Sequence, residues 1–251
     1  MKTALVTGAS SGIGRATAVA LAKVGYQLVV TGRRRERLEE LAQEVAPVPV
    51  HILTFDVRNR AEVEAAIGSL PAEFRQVDVL INNAGNAHGL APIQQGDAHD
   101  WDLMLDTNVR GLLNVTRAVL PAMQERRSGF IINIGSIAGH EAYANGNVYC
   151  ASKAAVASLS KGMRIDLVAL GIRVAEVNPG AVETEFSEVR FKGDKARAAS
   201  VYQGFEPLRA EDVADLIQFM VTRPPHVNIA EVLILPSAQA AATVINKQPA
   251  N

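Results

Sequence analysis

A single cysteine, Cys150, leaves no partner for an internal disulfide, which suits a reducing compartment. Neither sign of charge is in excess: 25 Lys and Arg stand against 26 Asp and Glu, for a net −1. That balance excludes a general binder of nucleic acid or other polyanions. No apolar run is long enough to span a bilayer, so no membrane partner is expected. The N-terminus shows no signal-peptide pattern and runs straight into the apolar segment Ala4-Leu5-Val6, so a cytoplasmic location is the expectation. The five histidines, His51, His88, His99, His140 and His226, have no close ligand spacing, so no metal site is expected. Repeats, linkers and low-complexity segments are also absent, which leaves residues 1–251 as a single domain.

What is present is an alternation of short apolar strands and amphipathic helices. Strand-like runs fall at residues 3–7, 27–31, 50–54, 77–82, 130–134, 174–178 and about 231–235. Helical patterns stand between them, including one long helix expected over residues 101–123 and another from near Asn147. The βαβ alternation predicts an α/β fold, a doubly wound parallel sheet of about seven strands with helices on both faces. Residues 183–204 are polar, basic and weakly periodic, so a mobile lid over a substrate site is expected there.

The run TGASSGIG, Thr7 to Gly14, stands between the first strand and the first helix. In that context small residues let a backbone approach a pyrophosphate, and the helix N-terminus offers its free N–H groups. Gly8, Ser10, Ser11, Gly12, Ile13 and Gly14 are therefore candidate nucleotide ligands, with a plain turn as the alternative. The second strand ends at Gly32-Arg33-Arg34-Arg35, with no acid before Glu36. A carboxylate there would favour a free ribose 2′-hydroxyl, whereas arginine suits a 2′-phosphate, so NADP is expected, through Arg33 and Arg34. Asp56-Val57 closes the third strand, where the acid could meet an adenine amino group or serve only to start a helix. Asn83, Ala84 and Gly85 follow the fourth strand and suit a ligand crevice.

Tyr149 precedes Lys153 by one helical turn, on one face. A phenol with an ordinary pKa of about 10 is a poor base. An ammonium about 4 Å away would favour the phenolate by roughly 4 kcal/mol at an effective dielectric of about 20, if burial does not cancel it. Cys150 is turned about 100° from Tyr149 and reads as a packing residue. Trp101 reads as a helix anchor.

TGASSGIG, NNAG at Asn82–Gly85, Asn108, Ser136, YCASK at Tyr149–Lys153 and PG at Pro179–Gly180 occur in order and at spacings that resemble the short-chain dehydrogenase/reductase family over nearly the whole chain. The resemblance implies a Rossmann fold and a catalytic set of Asn108, Ser136, Tyr149 and Lys153. It implies that Ser136 and Tyr149 hold the substrate oxygen, that Lys153 also bonds the nicotinamide ribose, and that Asn108 supports a water chain. It further implies that Pro179, Gly180, Val182 and Thr184 bind the nicotinamide end. Segments such as TGRRRERLEEL, GNVYCASK, EVRFKGD and PPHVNI are similar to the NADP-dependent 3-hydroxy acid dehydrogenase subgroup, which includes serine 3-dehydrogenases and malonic semialdehyde reductases. A sulfoacetaldehyde reductase branch is similar too. The resemblance implies a cytoplasmic homotetramer acting on a small hydroxy acid or aldehyde acid. PGAVET is a residue shorter here than in some members. A substrate carboxylate needs a cation; Arg190 is the first candidate and Lys192 the second.

Overall fold

The computed structural model describes residues 1–248. Seven parallel strands form one sheet in the order β3-β2-β1-β4-β5-β6-β7. They are β1 Lys2–Thr7, β2 Tyr26–Gly32, β3 Val50–Thr54, β4 Val77–Asn82, β5 Gly129–Ile134, β6 Ile172–Pro179 and β7 Glu231–Ile234. The order reverses between β1 and β4, and that switch point opens a crevice at the strands' C-terminal ends. The single-domain doubly wound fold expected from the βα alternation is the fold observed.

The central strands are buried on both faces because each face carries helices. On one side Ala4, Val6, Ile81, Ile132 and Val177 pack against α1 (Gly12–Lys23) and α9 (Ala210–Val221). On the other, Leu5, Leu80, Ile131 and Val174 meet α3 (Arg60–Gly68), α5 (Leu112–Arg126) and α6 (Asn147–Leu167). The alternation along each strand therefore feeds two separate apolar layers. The remaining α2 (Arg35–Glu44) packs Leu38 and Leu41 into the first layer. No helix among the described residues is long and apolar enough to cross a membrane.

One expectation needs correction. The long helix over residues 101–123 is broken into α4 (Ala98–Leu105), a π-helical turn at Asp106–Gly111, and α5. A widened turn of this kind is frequent at functional sites, and it holds Asn108. Residues 183–204, expected as a lid, contain two short helices, α7 (Phe186–Arg190) and α8 (Lys195–Ser200). Five or six residues are too few for a periodic pattern to stand out.

Candidate active site

The glycine loop between β1 and α1 is shaped by close approach. Gly8 has φ +65° and Gly12 φ +53°, conformations that side chains resist. At Gly14 a Cβ would overlap the Asn83 amide and the Gly8 carbonyl. Asn83 clamps the loop by donating from Nδ2 to the carbonyls of Thr7 (2.8 Å) and Gly8 (3.2 Å). The backbone N–H groups of Asn83 and Ala84 both donate to Thr7 Oγ1. Gly14→Ala should therefore cost about 1–3 kcal/mol through overpacking. Thermal melting would read this, and an unchanged melting temperature would mean that the clamp yields freely.

The N-terminus of α1 has no side-chain cap and no acid in its first turn. Its first N–H groups are thus left without a capping side chain, as an anion site requires, although the Glu185 carboxylate stands beside the N-cap Ser11. The Ser11 hydroxyl, which might have capped it, instead accepts from Arg34 Nη2 at 2.9 Å, and Ser10 Oγ accepts from the same guanidinium at 3.2 Å. Arg34 also pairs with Glu185 at 2.9 Å, in front of α7. Ile13 packs against the core layer under α1, and Thr184 lies 3.3 Å from where a Gly12 Cβ would be. One cation and two hydroxyls thus meet at the edge of the uncapped helix end, a donor set suited to phosphate groups once Glu185 is displaced from Arg34. Arg33 is exposed and stays outside this cluster.

At the end of β3, Asp56 is gripped by Arg58, whose Nη2 lies 2.6 Å from Oδ2. The Arg58 guanidinium holds its carboxyl below the usual range. The adenine role expected for Asp56 therefore competes with a local partner. Val57 fills the space beside Gly111 at the π turn.

Across the crevice, Asn108 is buried with its amide fully used. Its Oδ1 accepts from Asn86 N–H (2.8 Å), and its Nδ2 donates to Asn86 O and Ser152 Oγ (both 2.9 Å). Gly85 leaves room beside it: a Cβ there would lie 3.2 Å from Asn108 Oδ1 and 3.6 Å from Lys153 Nζ. Lys153 Nζ donates to Ile134 O at 2.8 Å. Ser136 follows β5 and accepts from Ala138 N–H through Oγ (3.1 Å). Pro179 offers its carbonyl to Ser136 Oγ at 3.5 Å, while the Gly180 N–H donates to Ile234 O and Val182 bridges to Leu208.

Tyr149 and Lys153 share one face of α6, and both are buried. Their electrostatics differ from the expectation. Burial pushes the Tyr149 phenol up to about 12, opposed first by the Arg190 guanidinium and then by a hydrogen bond from Ser136. Lys153 does not figure among the charges acting on the phenol; burial pulls its own ammonium down to about 8. The proximity argument from spacing alone thus overstated the lysine and left out the arginine.

Arg190, at the end of α7, lies over the Tyr149 ring with Cζ 4.8 Å from its centroid. Phe186 (5.2 Å) and Tyr143 (5.9 Å) complete an aromatic cage, and Nη2 donates to Tyr143 Oη at 2.7 Å. No carboxylate among the described residues pairs with it, and its Nε is buried without a partner. Lys192, by contrast, is already bound to Asp100 at 2.9 Å and is exposed. A pocket in front of Tyr149 is lined by His88, Trp101, Met104, Asn147 and Arg190 among others. Cys150 packs with Ala87, Met104 and Ala138, as a packing residue would.

A helix-borne tyrosine and lysine, with a serine at the neighbouring strand end and an asparagine opposite, can pass one proton to or from an oxygen on carbon. The family model for short chain dehydrogenases matches residues 2–195. The chain belongs to the short-chain dehydrogenase family. Relatives span almost its full length. Sulfoacetaldehyde reductase 2 of Chromohalobacter salexigens is 48% identical over 238 residues, covering 94% of each chain. The NADP-dependent 3-hydroxy acid dehydrogenase YdfG of Escherichia coli K12 is 46% identical over 239 residues, covering 95% of this chain and 96% of that one. Among solved structures, the closed form of serine dehydrogenase complexed with NADP⁺ superposes with a TM-score of 0.93 at 46% identity, covering 96% and 97% of the two chains.

Within this short-chain dehydrogenase several site residues had no sequence signal of their own. Tyr143 and Phe186 are lone aromatics in loops or short helices, yet both hold Arg190. Ser152 lies inside the YCASK run but was not separated from it; its Oγ bonds Asn108. The Thr7 hydroxyl was legible only as part of the glycine run.

Proposed function

We propose that the chain is an NADP-dependent oxidoreductase that moves a hydride reversibly between the nicotinamide and a small 3-hydroxy acid of the serine or 3-hydroxypropionate type, with Tyr149 as general acid and base. One observation carries the substrate class: a half-buried arginine without a carboxylate partner stacks on the ring of the proton-transfer tyrosine. An anion bound there stands beside the reacting oxygen, one or two carbons away, as in a short hydroxy acid. The relatives' names and the NADP⁺-bound serine dehydrogenase point the same way.

NADP supplies the carbon that takes or gives the hydride. The uncapped α1 N-terminus, Gly8, Gly12 and Gly14 would receive its pyrophosphate, and Arg34 with Ser10 and Ser11 its 2′-phosphate. Ser136 holds the substrate oxygen next to the Tyr149 hydroxyl and stabilises charge that develops there. Asn108 keeps the π turn closed against Ser152 and Asn86, which fixes α6 and its two reactive side chains. Lys153 would bond the nicotinamide ribose through its buried ammonium. Helices α7 and α8 act as a lid that brings Arg190 to the substrate. Exposed apolar residues on α6 and the turn after it, Ile165 and Val168, and on α9 and β7, Phe219 and Leu233, suit burial between subunits of a homotetramer in the cytoplasm, and light scattering of the purified protein would read its mass.

Arg34→Ala should reduce the preference for NADP over NAD about 10–100-fold, the loss of charge-assisted bonds worth about 1.5–3 kcal/mol. Dissociation constants for both cofactors would read this, and an unchanged ratio would hand the 2′-phosphate to Arg33. A second reading rests on the relatives named sulfoacetaldehyde reductase: a sulfonate is an anion that Arg190 also fits. Reduced-cofactor absorbance with serine, 3-hydroxypropionate, 3-hydroxyisobutyrate, hydroxyethanesulfonate and 2-butanol separates the two. Turnover of the carboxylates supports the main reading, turnover of the sulfonate alone moves the protein to the second, and turnover of 2-butanol alone removes both.

A further inference from the structure

Glu176 lies in the middle of β6, completely buried. Neither of its carboxylate oxygens has a hydrogen-bond partner among the described residues. A carboxylate enclosed without a partner is costly, and such groups normally meet a cation or a chain of donors. Its side chain shares a face of β6 with Val174 and Asn178, the face covered by α6. The neighbouring Gly135 makes the space: a Cβ there would collide with Glu176 Oε1 and Asn178 Oδ1. Gly135 is flanked by Ile134, whose carbonyl receives Lys153, and by Ser136, whose N–H donates to Asn178 Oδ1 at 2.9 Å.

The groups facing the carboxyl come from every element around it. Asn178 on its own strand brings an amide whose Nδ2 is itself unpartnered. Glu231 on β7 pushes the carboxyl up, after burial itself, while the Asn178 amide, His140 in the turn after β5 and Lys153 on α6 draw it down, in that order. Glu231 is engaged outward, with His140 Nε2 at 3.6 Å and Lys161 Nζ at 3.8 Å. Among these, Lys153 is the buried cation.

We propose that Glu176 is a positioning residue for the proton-transfer site, the buried counter-charge that keeps Lys153 an ammonium from the far side of the Gly135 gap. This rests on the reading of Tyr149 and Lys153 as the working pair. Burial opposes the charge of each partner: it raises the Glu176 carboxyl above its ordinary value and lowers the lysine, and each offsets part of the other's shift. Without Glu176 the lysine sheds its proton at a lower pH. The ammonium that would bond the nicotinamide ribose beside Tyr149 is then lost sooner.

The test is a titration of ¹³Cε-labelled Lys153 in the full protein, assigned by comparison with Lys153→Arg. Glu176→Gln should lower the Lys153 midpoint by a few tenths of a pH unit or more, as loss of the charge that raises it. Glu176→Asp, which keeps the charge, should stay near the native midpoint. The alkaline limb of kcat/KM for hydroxy-acid oxidation should move down with the lysine in Glu176→Gln and hold in Glu176→Asp. An identical Lys153 midpoint in native and Glu176→Gln protein overturns the proposal. If Glu176→Gln does not fold, the ¹³Cδ titration of Glu176 in native and Lys153→Met protein decides: a rise on loss of the lysine supports the pair, and no change overturns it. The lysine titration needs no substrate. A shifted midpoint in a protein that ignores hydroxy acids would remove the substrate reading and keep this one.

Discussion

A Tyr149→Phe protein should lose hydroxy-acid oxidation by about 10²–10⁴-fold, the usual worth of a positioned acid–base group, while NADP binding changes little. The ring that packs with Phe186 and supports Arg190 is retained, so only the hydroxyl is removed. NADPH fluorescence on titration would report binding, and initial rates would report chemistry. Retained turnover would sink the assignment of Tyr149. The native pH dependence follows from the same environment. With the phenol at about 12, Tyr149 is protonated at neutral pH and ready to donate when a carbonyl is reduced. Oxidation needs the phenolate, so its rate should rise with pH. That rise should flatten as Lys153 titrates near 8, because the ammonium that would bond the nicotinamide ribose beside Tyr149 is then lost. Reduction should follow the opposite slope. A flat profile in both directions would mean that proton transfer is not controlled by this pair.

The parts of the site that were legible in the chain are those fixed by local spacing. Tyr149 and Lys153 are one turn apart in any helix, and TGASSGIG between a strand and a helix announces an anion-binding end. The strands were readable because a sheet covered on both faces needs continuous apolar runs, as in β4 and β5. The environments were not legible, since burial is set by distant segments. Spacing placed the lysine beside the tyrosine, but only the fold reveals that enclosure raises the phenol and that Arg190, 41 residues further along, is the charge that opposes it. The π turn was hidden because Leu103, Leu105, Val109 and Leu112 continue a helical pattern through it. The extra residue is accommodated by contacts of Asn108 and Gly111 with Asn86, Ser152 and Val57.

Arg190→Ala should raise KM for carboxylate substrates by roughly 10²-fold, about 2–3 kcal/mol, the worth of a charge-assisted bond at a half-buried site. An uncharged alcohol should show no such rise in KM. The cage explains why the effect is concentrated in one residue. Tyr143, Tyr149 and Phe186 hold the guanidinium by its faces, and Tyr143 takes only one of its N–H groups. Nε remains unpartnered in the interior, so an anion meets a donor set that is already oriented and partly stripped of water. Lys192 cannot substitute, because Asp100 holds it. The substitution should carry a second signature. Arg190 is the foremost influence drawing the Tyr149 phenol down, so its loss should push the acid limb of kcat for oxidation to higher pH for every substrate, charged or not. A structural disturbance of the lid would raise KM without moving that limb. Measuring both therefore separates an arginine that binds the substrate anion and tunes the tyrosine from one that only packs α7 against the site.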